Sequence, residues 1–360
     1  MQRCGRNLGL LWPVGLALSL GLVAGALCSR LGTPLPWMIG PLFATAGLRL
    51  CGVSLHCPVP LREAGQWAIG TTLGLYFTAP VLAVLASYGG FIAAAVSFAL
   101  VLGWACGQLL HRLCGIDRTT AFFAMAVGGA SEMATQGERH GAIVEYVAAA
   151  HSMRIMLVVA LIPFALRHWG AHWSTPGLDL HLPGLAAVDA GALLVLMLLT
   201  SAAALLCKRI GMPNSWVIGP LLMALLLTAS GVHLSRLPEP MILLGQLFIG
   251  ISLGTRFTPG FLSSAPRFLV SVVLCSLLAL VLAAGFGLLL SRWAGIHPGT
   301  AILATSPGGI AEMSLTARTL HLGVPIVAAF HVARMVVLVL AIGPVYRLGR
   351  RLGRRLGRQV

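Results

Sequence analysis

The stretch AFFAMAVGGASEMATQGERHG, residues 121–141, starts as an apolar run, breaks at Gly128 and Gly129, and then places Glu132. A near copy, AILATSPGGIAEMSLTARTLHLG, residues 301–323, sets Gly308, Gly309 and Glu312 180 positions further on. Of the 360 residues 58% are hydrophobic and 9% charged, where soluble domains carry about 25% charge. In lipid surroundings an interrupted helix is tolerated only where its freed backbone is buried in protein or lines water. A carboxylate at that depth costs about 2.5–3.5 kcal/mol and is kept where it faces a cavity, pairs or relays protons. The repeated break with its glutamate therefore decides the fold: an all-α polytopic membrane protein with discontinuous helices.

Spans of about 20 residues cross a hydrocarbon core, so the chain divides into ten to twelve membrane segments. The net charge of +15 is concentrated in the tail RLGRRLGRRLGRQV, residues 347–360, which holds Arg347, Arg350, Arg351, Arg354, Arg355 and Arg358. Such a tail reads as a cytoplasmic anchor on anionic lipid. No nucleic-acid-reading module accompanies it, so no nucleic acid partner is expected. The eight cysteines show no metal or redox spacing; Cys51 and Cys57 are the one close pair, and free thiols are expected. The run that follows Arg3 and Arg6 ends at Leu27-Cys28 without a small-residue cleavage site, so it reads as a first transmembrane helix.

The breaks belong to a duplication. LGTPLPWMIGPL (31–42) matches IGMPNSWVIGPL (210–221), GQWAIGTTLGLYFT (65–78) matches GQLFIGISLGTRFT (245–258), and HSMR (151–154) matches HVAR (331–334). Residues 1–167 form a first repeat, 168–188 a connector, 189–346 a second repeat and 347–360 the basic tail. The first half reads as segments 8–28, 34–51, 64–79, 84–112, 119–137 and 141–167, repeated from 189. Two-fold repeats with short, glycine- or proline-interrupted helices are the signature of secondary transporters, whose sites lie near the midplane. The basic tail with Arg3 and Arg6 places both termini in the cytoplasm of a bacterial inner membrane, and the Lys- and Arg-free stretch between Arg167 and Lys208 places the middle outside. An inverted repeat with one re-entrant segment per half follows, although Arg30 opposes Lys208 and Arg209 in that assignment.

The paired PWMIGPL/SWVIGPL, GQ...IG..LG..FT and GGASEM/GGIAEM segments resemble the membrane AbrB duplication family, often labelled AbrB-family regulators or ammonia monooxygenases. The resemblance covers nearly the whole chain. It implies no settled activity, and the labels are tested against the residues.

The candidate substrate or ion site comprises Glu132, Glu312, Ser131, Gly128, Gly129, Gly308, Gly309, Arg154, Arg334, His151 and His331. Ser131 is a candidate cap for the second half-helix, with Glu132 in its first turn, where the dipole favours negative charge. Val127 stands where the second copy has Pro307. Either Glu132 and Glu312 bind a cation or proton, or each closes a structural bridge to a neighbouring arginine. Arg154 and Arg334 lie three residues after His151 and His331 and share a helical face with them. They either bind an anionic solute by two-pronged donors or form those Glu–Arg bridges, the reading favoured here. For the histidines a polar tether between helices is favoured over proton exchange. Gly70, Gly74, Gly250 and Gly254 make GxxxG contacts, with Gln66 and Gln246 beside them. Trp37 and Trp216 read as interface anchors, while Gly40-Pro41 and Gly219-Pro220 are expected to kink or break their helices.

An oxygenase needs clustered ligands, yet His151 and His331 stand singly in their helices, and His168 and His172 sit in the connector without a carboxylate motif. No Walker A sequence is present. No enzyme activity, cofactor or metal is expected. The expected function is secondary transport of a small polar or anionic solute coupled to H+ or Na+, by one bundle rocking against another. The alternative is a membrane-embedded sensor that affects gene expression without touching DNA. The partners are the lipid bilayer, the solute and the coupling ion; the oligomeric state is open.

Overall fold

The computed structural model describes residues 2–170, 188–212, 214–257 and 266–355, and among these it is helical with no strand. Most of the connector with His172, and Arg358, fall outside the described residues, as do the side chains of Ser131 and of Arg347, Arg350, Arg351, Arg354 and Arg355. Among the described residues five helices are long and apolar enough to cross a membrane: Trp12–Arg30, Gly89–Cys114, Val144–Trp169, Ala190–Arg209 and Pro266–Ala294. Val59–Gly74 and Ala79–Ser87, bent by 85°, make a sixth if taken as one span. The ten to twelve expected segments thus resolve into these spans and shorter apolar helices, among them Ser215–Ala229 and Glu239–Gly254.

The chain forms two compact units, each drawing on both sequence halves: Met1–Ala86, Val159–Ser264 and Ser314–Pro325 in one, the remaining segments in the other. The first unit contains α1 (Gln2–Arg30), α2 (Pro36–Leu50) and α3 (Val59–Gly74), and α4 (Ala79–Ser87) as far as Ala86. In the second lie α5 (Gly89–Cys114), α6 (Arg118–Met125), α7 (Ala130–Arg139) and α8 (Val144–Gly170) as far as Val158. From the other half the first unit takes α9 (Ala190–Arg209), α10 (Ser215–Ala229) and α11 (Glu239–Gly254). The second takes α12 (Pro266–Ala294), α13 (Pro298–Thr305), α14 (Ile310–Thr319) as far as Met313, and α15 (Val324–Arg355) from Ile326. Four matching pairs have equal lengths: 15 residues in α2 and α10, 16 in α3 and α11, 8 in α6 and α13, 10 in α7 and α14.

Packing in the first unit exchanges partners between the halves. α3 lies on α10, α11 lies on α2, and α3 and α11 lie on each other. Lipid supplies no hydrophobic force between helices, so close backbone approach does the work. A Cβ on Gly70 would strike the Val217 carbonyl oxygen, and one on Gly74 that of Leu221. Likewise a Cβ on Gly250 would lie 2.5 Å from the Met38 oxygen, and one on Gly254 2.5 Å from that of Leu42. Gly65 meets α11 in the same way, its Cβ position 2.7 Å from the Gly245 oxygen.

Gly40 and Gly219 do not mark breaks. α2 and α10 run through Pro41 and Pro220 without interruption, and both glycines admit a neighbouring backbone, Ala24 for Gly40 and Ala203 for Gly219. Trp37 is half-buried against Gly25 of α1. Trp67 donates from Nε1 to Thr200 Oγ1 at 3.0 Å, joining α3 to α9. Lys208 pairs with Glu63 at 2.8 Å and lies over the Trp216 ring. The seven cysteines with described side chains are free thiols.

In the second unit the long helices α5 and α12 pack on one another and carry the broken segments. Gly107 takes Phe122 of α6 and Gly287 takes Ile302 of α13, their Cβ positions 3.1 and 2.8 Å from those Cα atoms. Phe98 and Phe286 stack at 4.2 Å between the long helices.

Candidate functional site

Each GG stretch ends one half-helix and starts another. α6 stops at Met125 and α7 starts at Ala130; α13 stops at Thr305 and α14 starts at Ile310. Both half-helices that enter a break are capped where they begin: Asp117 Oδ1 accepts from Thr120 N at 2.8 Å, and His297 Nδ1 accepts from Gly299 N at 3.2 Å. At their other ends the backbone turns extended, with φ −55° and ψ 135° at Ala126 and φ −60° and ψ 147° at Ser306. The missing proline at Val127 therefore leaves the conformation at the break little changed.

Ending a helix leaves its last carbonyls without intrahelical partners and concentrates negative dipole there. The arginines answer that need. Arg334 donates from Nη1 to Ser306 O at 2.6 Å and from Nη2 to Gly308 O at 2.5 Å. Arg154 donates from Nη1 to Met125 O at 3.2 Å. Both residues are buried, 8% and 3% exposed. Besides the histidines, these arginines thus hold backbone oxygens at the breaks, a role that spacing alone did not suggest.

The histidines complete the brace. His331 Nε2 lies 2.9 Å from Leu303 O and its Nδ1 3.0 Å from Arg334 Nη2. His151 repeats this with Phe123 O at 3.0 Å and Arg154 Nη2 at 2.9 Å. A carbonyl only accepts and a guanidinium only donates, so each ring carries its proton on Nε2 and accepts at Nδ1. This geometry suits the tether reading and leaves no site for a second ring proton.

The starting half-helices carry the opposite sign. Glu132 and Glu312 occupy the first turns of α7 and α14, where unpaired N–H groups favour a carboxylate. The Glu312 carboxylate folds back over the helix start so closely that a Cβ on Gly309 would collide with Oε2. Gly309 is thus required by the carboxylate above it. Gly128 and Gly308 are each covered by a thioether, Met133 and Met313, with Cβ positions 2.8 and 2.7 Å from the nearest methionine carbons. Unlike the arginines, both glutamates are partly accessible.

The two breaks and their arginines belong to one unit. A Cβ on Gly308 would lie 2.9 Å from Val158, one helical turn beyond Arg154 on α8. Among the described residues, no three His, Cys, Asp or Glu side chains gather where they could hold a metal ion.

Residues 11–350 match the family described as transition state regulatory protein AbrB. The chain is 25% identical over 351 residues to the protein YhjN of Bacillus subtilis (strain 168), an alignment covering 92% of this chain and 91% of that one. It is 25% identical over 327 residues to an Escherichia coli (strain K12) protein named for the regulator AbrB, covering 91% and 92% of the two chains.

Proposed function

The chain belongs to the AbrB family, and on that premise we propose that it is a secondary transporter of a bacterial inner membrane, moving a small polar or anionic solute coupled to H+ or Na+. The observation that carries the reading is the pair of broken helices in one unit, each with a partly accessible glutamate at the start of its second half-helix and a buried arginine at the end of its first. Helix starts with carboxylates are places where a proton or sodium ion can bind and leave, because the ionised form is stabilised yet not sealed from water. The arginines and histidines hold the breaks open at fixed backbone positions. Chemistry on the solute plays no part, and neither a cofactor nor nucleic acid is involved. In this reading both termini lie in the cytoplasm, with the basic tail on anionic lipid.

The regulatory names of the family and of the E. coli relative favour a second reading, a membrane sensor that alters gene expression without net transport. Charge movement on a solid-supported membrane separates the two. Proteoliposomes are screened with small carboxylates and amino acids under proton and sodium gradients. A solute-dependent current that Glu132→Gln with Glu312→Gln removes supports transport; solute flux retained in that double variant sinks the assignment of the site.

A further inference from the structure

The two breaks share a backbone conformation but not an inventory of hydrogen bonds. Arg334 makes three, to Ser306 O, Gly308 O and His331. Arg154 makes two, to Met125 O and His151, and its Nε is buried without a partner. A guanidinium has five N–H donors, so three at Arg154 are unspent in a residue only 3% exposed. Buried polar groups are normally satisfied, and an idle donor of a charged group is costly.

The surroundings differ in the same sense. At the second break Gly308 and Ile310 are buried, whereas at the first Gly128 and Ala130 are partly accessible. The second break is braced and covered; the first is less tied and more open.

We infer that the halves have divided the work: Arg334 is a structural brace, and Arg154 holds the carboxylate of a small organic anion through Nε and the adjacent amino group. This rests on the transport reading and narrows its solute class. The edge formed by Nε–H and a neighbouring N–H matches the two oxygens of a carboxylate, which a lysine ammonium cannot reproduce. Glu132, on the far side of the same break, repels such an anion while ionised. Binding a proton or sodium ion there favours the anion, which is the coupling a symporter needs.

The test uses full-length protein in detergent, probed with sodium acetate, lactate and pyruvate against sodium chloride at matched ionic strength, read as a thermal shift. The expected result is stabilisation by at least one carboxylate, with the apparent Kd weakened about tenfold or more in Arg154→Lys and little changed in Arg334→Lys. Equal loss in both variants, or no carboxylate effect in the parent, overturns the inference. Should Arg154→Lys fail to fold, nitrogen-15 NMR of arginine Nε in the unsubstituted protein reads the same atom. One buried Nε–H resonance is expected to move with carboxylate and not with chloride, and an unmoved set overturns the assignment. Binding at Arg154 without any current leaves this inference standing while transport falls. Carboxylate currents that persist in Arg154→Lys do the reverse.

Discussion

His331 accepts from Arg334 at Nδ1, 3.0 Å away, and its other ring nitrogen lies 2.9 Å from Leu303 O, so one imidazole joins the end of α13 to the guanidinium that braces the break. Glutamine can donate and accept as the neutral ring does. His331→Gln should therefore retain most stability, while His331→Ala should lose about 1–3 kcal/mol by orphaning buried partners. Denaturant unfolding in detergent distinguishes the two. A pH dependence of transport that vanishes in His331→Gln would contradict the tether role.

Gly309 and Glu312 should couple. Gly309→Ala drives a methyl into the carboxylate and should cost about 1–3 kcal/mol. In a Glu312→Ala background the obstacle is gone, and the same change should be close to neutral. A double-mutant cycle that adds without coupling would mean the carboxylate does not lie over Gly309.

Glycines at the exchanged helix contacts should be intolerant where isolated ones are not. Gly70→Ala and Gly250→Ala press a methyl on the backbones of Val217 and Met38 and should lower the melting temperature sharply. At Gly47, inside α2, a Cβ meets nothing within 4 Å. Gly47→Ala should raise stability by about 0.5–1 kcal/mol through helix propensity. Equal effects at the three sites would refute the packing described.

Repeat orientation can be read from paired helix ends. Cys51 and Ser230 are exposed C-caps of α2 and α10. With the other cysteines removed, an impermeant maleimide should label Cys51 and the cysteine of Ser230→Cys from opposite faces of the membrane if the repeat is inverted. Labelling from the same face would make the repeat parallel.

The breaks were legible because adjacent glycines weaken a helix by about 1 kcal/mol each, and Glu132 and Glu312 fall in first turns as the spacing implied. The arginine partners were not legible, since a carbonyl oxygen is present at every residue and leaves no mark in sequence. The same holds for the breaks expected at Pro41 and Pro220: the motif requires a small residue, but only the neighbouring backbones of Ala24 and Ala203 show that it serves a crossing and not a break. Nor can spacing tell which of two similar GxxxG rows meets which of two similar proline-containing helices.

The exchange of partners sets an order of events during synthesis. The α3 row at Gly70 docks on Val217, which leaves the ribosome 147 residues later. At about 5–20 residues per second this is a wait of roughly 7–30 s, during which α3 is held in the membrane with its docking row uncovered. The first half thus cannot complete this packing until the second half has been made.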